Sequence, residues 1–378
     1  MDFTFGEQHQ MLQTMVRKWA NEKVEPIADE LDRKQEFAWA NFKAMAEMGL
    51  LGIGIPHEYG GGEGDTLSYV IVSEEIAVAC ASTSDIVGGH LGLCTVPIYS
   101  YGSEEQRQRY LPPLCSGEKV GSFAITEPEA GSDIGSIRTT AVKDGGSYIL
   151  NGTKAFITNG DVANIAVIFV RIPELGARGM TAFIVEDTMP GFTKGKKYDK
   201  LGMRAATNCD LVFEDCRVPA GNILGAEGQG MKICLATLDH GRVGIAAQAC
   251  GVARAVLNRA TEYAKTRVQF GVPIAQHQGI GFRLADMATE LEAARWLTYH
   301  AAVKADAGER YTKEAAMAKL YASEMCMRAA TSGIQIFGGY GYMYDLPLQR
   351  YFRDAKLIEI YEGTSEIQRV VISNAITR

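Results

Sequence analysis

Ser147-Tyr148-Ile149-Leu150-Asn151-Gly152-Thr153-Lys154-Ala155-Phe156-Ile157-Thr158-Asn159-Gly160 interrupts a chain whose other long stretches have a helical period. Two β-prone runs, at 147–150 and 154–158, each end on an Asn-Gly pair, the dipeptide that most favours a tight turn. Comparable runs occur at 122–126, 165–171, 180–185 and 210–213, punctuated by glycine, asparagine and proline. Residues 121–230 therefore read as a small all-β domain.

On both sides the period is that of helices. Before it, Met11, Leu12, Met15, Val16 and Trp19 share the spacing of one helical face. Asp65 is placed to cap a helix starting at Thr66, and Ser103-Glu104-Glu105-Gln106 has the form of a capping box. Between them, residues 82–102 form a glycine-broken apolar stretch that holds the imidazole of His90. After the β region, Val243, Ala246, Ala247, Cys250, Ala253, Leu257 and Ala260 mark one long helix. Leu284, Met287, Leu291 and Ala294 mark a second, and residues 315–337 a third, stopped by Gly338-Gly339. Long amphipathic helices joined by short connections predict an antiparallel bundle. The fold class is mainly α with a β domain: an N-terminal helical domain (1–120), the β domain (121–230) and a C-terminal helical bundle (231–378).

The composition narrows the function. With 378 residues, 47% of them apolar, the chain can bury a large core, and a net charge of −7 offers no nucleic-acid or anionic-membrane footprint. No apolar run reaches bilayer length. Met1-Asp2-Phe3-Thr4-Phe5-Gly6-Glu7 is neither basic nor followed by an apolar signal core, so a cytoplasmic protein is expected. Eight cysteines form no C-x-x-C pair and read as free buried thiols. Six scattered histidines and no H-E-x-x-H make a metal site unexpected. P-loop, G-x-G-x-x-G and G-x-S-x-G patterns are also missing.

Five segments carry candidate chemistry. In Ile358-Glu359-Ile360-Tyr361-Glu362-Gly363-Thr364-Ser365-Glu366-Ile367-Gln368, the carboxyl of Glu362 sits between bulky apolar residues and a flexible glycine. Water exclusion raises a carboxyl pKa, which suits a general base near neutral pH. Taken alone, the stretch reads more readily as a helix N-terminus with an acidic residue near its positive end. Thr126-Glu127-Pro128-Glu129-Ala130-Gly131-Ser132-Asp133 offers two hydroxyls and backbone N–H groups able to nest an anion, and is also an ordinary Pro/Gly loop. Phe156 and Thr158 stand at a strand end. Arg267-Val268-Gln269-Phe270-Gly271 with Gln278, and Gln335-Ile336-Phe337-Gly338-Gly339-Tyr340-Gly341, pair a cation and glycines with aromatics, and each also fits a helix end.

In this order, the five segments resemble the acyl-CoA dehydrogenase family of flavoproteins over the whole chain, from Phe3 to Arg378. Asp199-Lys200-Leu201-Gly202-Met203-Arg204, Arg217-Val218-Pro219 and Asp286-Met287-Ala288 add to the likeness. The resemblance implies a central β-barrel-like domain, a C-terminal four-helix bundle, FAD as cofactor, a homotetramer, and an electron-transfer flavoprotein as acceptor. It matches Thr126, Ser132, Phe156 and Thr158 to positions at the flavin and its pyrophosphate. Arg267, Phe270 and Gln278 match residues reaching the FAD of a neighbouring subunit, Gln335 and Gly339 adenine-side contacts, and Thr364 and Glu366 further cofactor positions. Glu362 matches the catalytic base, which removes the α-proton while flavin N5 takes the β-hydride, giving a trans-2-enoyl-CoA. Ser132, Arg242, Tyr361 and Gly363 fall on the substrate side, as does His90.

The acyl group expected is short, near butyryl. The family's acyl tail runs toward the segment holding Gly88, Gly89, His90, Leu91 and Gly92. A neutral imidazole at the pocket floor would disfavour a long alkyl chain, whereas a lone histidine is also often a hydrogen-bonded core residue. A compact branched or alicyclic acyl-CoA, an acyl-CoA oxidase and a non-catalytic flavin- or CoA-binding scaffold are the alternatives. Retention of Glu362, Arg242 and the flavin segments argues against the scaffold.

Overall fold

The computed structural model describes residues 4–377; Phe3 and Arg378, the ends of the resemblance, lie outside the described residues. The N-terminal part is helical. Helix α1 (Glu7–Trp19) runs through a wide turn at Ala20–Val24 into α2 (Glu25–Lys34), which Gln35 ends in the left-handed region at φ 55°. Val16, Ala20, Val24 and Ala28 form the buried stripe, while Met11 and Met15, expected on that face, point outward at 65% and 42% exposure. Next come α3 (Trp39–Glu47) and α4 (Thr66–Ala79). Asp65 caps α4, accepting the backbone N–H of Ser68 at 2.7 Å. After α5 (Ala81–Val87), the chain stays helical through a π segment, Gly88–Thr95, into α6 (Val96–Tyr101). The expected capping box opens α7 (Glu104–Cys115), with Ser103 and Gln106 bonding reciprocally.

The β region holds β1 (Gly121–Ala124), β2 (Thr140–Asp144), β3 (Ser147–Thr158), β4 (Ile165–Arg171), β5 (Met180–Glu186), β6 (Phe192–Lys194), β7 (Asn208–Pro219) and β8 (Ile223–Leu224). They form one sheet in the order β6-β7-β3-β2-β4-β5-β8, with β1 added parallel to β4. The path runs from β6 to β8 without closing, so the sheet is barrel-like rather than a barrel. Alternation along β4 sends Ala166, Ile168 and Val170 into the sheet's own core and Ile165, Val167 and Phe169 onto the N-terminal helices. That double burial explains an uninterrupted apolar run.

One reading of the opening stretch changes. Asn151-Gly152 is no turn but a bulge inside β3, where the pairing with β7 shifts between Leu150 and Gly152. The Asn151 side chain accepts the N–H of Asp215 at 2.8 Å, closing the gap that the bulge opens. Gly152, at φ 144°, lies so close to Thr139 that a Cβ would stand 2.7 Å from its Cα.

The remaining chain is the bundle: α8 (Gly230–Thr266), α9 (Gln278–Asp306), α10 (Thr312–Phe337), α11 (Leu348–Ile358) and α12 (Ser365–Thr377). A two-stranded ribbon, β9 (Val268–Gln269) with β10 (Val272–Pro273), joins α8 to α9. Alanines at 246, 249, 253, 315, 318, 322 and 329 line the buried faces, allowing close helix approach. Helix α4 ties the bundle to the N-terminal part. Its buried Glu74 and Glu75 meet Arg17 of α1, Arg254 of α8 and Arg295 of α9. Breaking such a buried cluster by removing one partner typically costs ~3–5 kcal/mol. All eight cysteines are free and buried. Among the described residues no helix is long and apolar enough to cross a membrane.

Candidate active site

The β region, α5 with its π segment, α8 and the loop between α11 and α12 enclose a cavity of about 320 Å³. Each contributes for a local reason. A second bulge in β3, between Lys154 and Ile157, holds Phe156 at φ 62° and leaves it 62% exposed at the mouth, against Tyr198 with ring centroids 5.0 Å apart. Asn208 fixes that bulge by donating to Phe156 O at 2.9 Å and to Thr158 Oγ1 at 3.0 Å. Below the loop carrying Thr126 and Ser132, buried Lys154 bonds Glu127 at 2.7 Å, and Glu127 accepts the N–H groups of Arg138 and Thr139. Asp85, Gly89 and Leu93 recur every fourth residue, a spacing the wider π turn keeps in line, and all three line the cavity.

Glu362 leaves α11 at φ 53°, followed by Gly363 at φ 99°. A non-glycine residue in the left-handed region is strained by about 1–3 kcal/mol and persists only when its surroundings hold it. Here Gln368 Nε2 donates to Glu362 O at 3.2 Å and to Gly363 O at 2.9 Å. Lys319 Nζ donates to Gly363 O at 2.8 Å, and Arg242 Nε reaches Glu362 O at 3.5 Å. Tyr361 O–H donates to the buried Gln248. Two of these donors are cationic, so together they exceed the strain.

The Glu362 carboxyl points at α8. A Cβ built on Gly241 would lie 2.8 Å from Glu362 Cδ and 2.9 Å from Leu93 Cδ2, so the missing side chain is what makes room for the carboxyl. Glu362 Oε2 is covered and has no hydrogen-bond partner. Burial first, then the nearby Asp85 charge, pushes the Glu362 carboxyl up to about 8, with Arg242 and Lys319 acting against that rise. Burial takes Lys319 down to about 8, against the attraction of Glu362. Arg242 is held by Asp239 at 2.7 Å. Stacked beside these, Tyr69 and His240 have ring centroids 5.0 Å apart, and burial lowers His240 to about 4.

Thr126, Ser132, Phe156, Thr158, Arg242, Tyr361, Glu362 and Gly363 thus share one cavity. Arg267, Phe270 and Gly339 line another, of about 730 Å³, together with His277 and Tyr340. Gln278, Gln335, Thr364 and Glu366 line neither. His90 is a correction. Its Nδ1 accepts the N–H of Gly121 at 2.9 Å and its Nε2 donates to Leu114 O at 3.1 Å, so both ring nitrogens are spent inside the core. It stands edge-on to Phe42, is lowered to about 4 by burial and does not line the cavity. The titratable side chain that the same segment does present is Asp85, which the sequence reading passed over. Lys319 and Gln248 were missed as well. Each is a polar residue on an otherwise alanine-rich buried face, a break in pattern that was there to be read.

Comparison with known proteins gives full-length matches. Descriptions of the acyl-CoA dehydrogenase N-terminal, middle and C-terminal domains match residues 6–118, 122–216 and 228–377. The short-chain specific acyl-CoA dehydrogenase of Clostridium acetobutylicum is 47% identical over 379 residues, covering 100% of both chains. The structure of butyryl-CoA dehydrogenase from Megasphaera elsdenii superposes with a TM-score of 0.98 at 43% identity, covering 100% of both chains. A chain solved in work on the electron transferring flavoprotein of Acidaminococcus fermentans and flavin-based electron bifurcation also gives 0.98, at 46% identity and 100% coverage of both.

Proposed function

Because the chain belongs to the acyl-CoA dehydrogenase family, we propose that Glu362 is the base of an FAD-dependent α,β-dehydrogenation of a short-chain acyl-CoA to its trans-2-enoyl-CoA. The observation that carries this is a covered, unpartnered carboxyl in the space that Gly241 leaves free. The family is FAD-dependent, and two features of the chain fit that group. Phe156 is held half-exposed against the cavity beside Thr158, as a planar ring would need. At Gly338 and Gly339 an added Cβ would meet nothing within 4 Å, beside the cation of Arg267.

In this reading Thr126, Ser132, Phe156, Thr158, Thr364 and Glu366 hold the cofactor in one subunit. Arg267, Phe270 and Gln278 reach that of a neighbour in a homotetramer, and Gln335 and Gly339 meet the adenine side. FAD, when bound, supplies the acceptor for the β-hydride. The chain does the rest. The backbone N–H of Glu362 donates to the thioester carbonyl as enolate charge develops there. The Glu362 carboxylate, with a proton affinity set near neutrality, takes the α-proton. Tyr361, Leu93 and Gly89 keep water from the reacting carbons, and Arg242, which lines the cavity with Ser132 and Gly363, holds the loop that carries the base. Division near residues 120 and 230, transfer of electrons to an electron-transfer flavoprotein and work in the cytoplasm complete the proposal. The family likeness, the Acidaminococcus match and the eight free thiols support these points in turn.

Anaerobic addition of butyryl-CoA to the yellow holoprotein is the test. Loss of the flavin absorbance with appearance of 2-butenoyl-CoA is expected, and flavin that stays oxidised with butyryl-, hexanoyl-, octanoyl- and cyclohexanecarbonyl-CoA contradicts the reading.

A further inference from the structure

Asp85 lines the same cavity as Glu362, yet in the reaction described above it acts only through its charge and meets no reacting atom. It is 4% exposed, its Oδ2 is covered without a hydrogen-bond partner, and it forms no ion pair among the described residues. Lys200 is the cation whose field it feels most, but Lys200 spends its ammonium on Ala206 O and Asn208. A buried carboxyl left this way is expensive unless something in the cavity meets it. Asp85 heads the face continued by Gly89 and Leu93, and Leu93 touches the space between Gly241 and Glu362. An acyl group with its α-carbon at Glu362 therefore lies along that face and brings its outer carbons to Asp85.

We infer that Asp85 is the specificity-determining residue of the acyl pocket. It admits a short acyl group that leaves its carboxyl hydrated, favours one that offers it a hydroxyl, and turns away an alkyl chain long enough to cover it. This role rests on the acyl-CoA reading of the cavity. A short chain leaves room for a water on Oδ2. A longer one strips that water and returns nothing, whereas an acyl hydroxyl donates a charge-assisted hydrogen bond in its place.

Equilibrium binding tests this without turnover, in holoprotein carrying Glu362→Gln. Dissociation constants are measured for butyryl-, 4-hydroxybutyryl- and octanoyl-CoA, with and without Asp85→Val. With Asp85 present, the hydroxyl should tighten binding roughly 10-fold or more over butyryl-CoA, and octanoyl-CoA should bind more weakly than butyryl-CoA. Asp85→Val should abolish the hydroxyl advantage and raise octanoyl-CoA affinity by about 10-fold. The isosteric Asp85→Asn, the safer variant for folding, should shrink the hydroxyl advantage to a few-fold by removing the charge. Equal ratios among the three ligands in all proteins overturn the inference. If wild type is still bleached by butyryl-CoA in that case, Glu362 keeps its role and only Asp85 loses its own.

Discussion

Burial sets the raised proton affinity of Glu362, and three charged side chains then tune it. The Asp85 carboxylate raises its proton affinity further, while the Arg242 and Lys319 cations lower it; burial keeps the nearby Tyr69 and Tyr361 hydroxyls and the His240 ring neutral. The base works only when ionised, so flavin reduction should rise as pH climbs toward about 8 in the free enzyme. Removing a negative neighbour lowers the Glu362 pKa, so Asp85→Asn should move that limb to lower pH. Removing a positive one does the reverse, so Lys319→Met should move it to higher pH, with a stability loss of ~1.5–3 kcal/mol from the bond to Gly363 O. Stopped-flow pH profiles of both variants check the signs, and two limbs moving the same way would contradict the assignment. The sequence exposed Glu362 because its neighbours exclude water along the chain itself. Asp85 and Lys319 act from 277 and 43 residues away, distances that no local pattern spans.

Helices and strands were legible where one face alone is buried, as in α9, and where caps announce an end, as at Asp65 and Ser103. The bulges were not. Asn151-Gly152 has turn chemistry, but the Asn151 side-chain oxygen accepts the N–H of Asp215 in β7, a partner the stretch itself does not contain. The same holds for α8, where Gly241 looks like a weak helix residue and is instead the room for a carboxyl. Gly241→Ala improves intrinsic helix propensity by about 1 kcal/mol. Overlap with Glu362 should outweigh this, giving net destabilisation of about 1–3 kcal/mol and reduction at least roughly 10-fold slower. Thermal unfolding and stopped-flow reduction measure the two effects. A variant both more stable and fully active would show that the carboxyl does not sit against α8.

At the scale of the molecule, the three-part texture of the sequence carried the architecture, since a change from period 3.6 to period 2 and back needs no long-range information. That texture carries no division of the site; the split between subunits comes from the family resemblance alone. Thr126, Ser132, Phe156 and Thr158 gather in one cavity, whereas Arg267 and Phe270 lie at another, with Phe270 94% exposed and Phe282 nearby in sequence 62% exposed. Large apolar side chains left open beside a cation are what a subunit that completes its neighbour's cofactor site would present. Monomers separated by dilution should therefore lose FAD. Light scattering combined with flavin absorbance tests this, and a stable, fully flavinylated monomer would refute the shared site.

Anaerobic stopped-flow mixing of butyryl-CoA with flavin-loaded Glu362→Gln reaches the centre of the account. Flavin reduction should slow by roughly 10²–10⁴-fold or more, with FAD content and CoA-ester affinity near those of wild type. Reduction at close to the wild-type rate would mean that another group takes the α-proton.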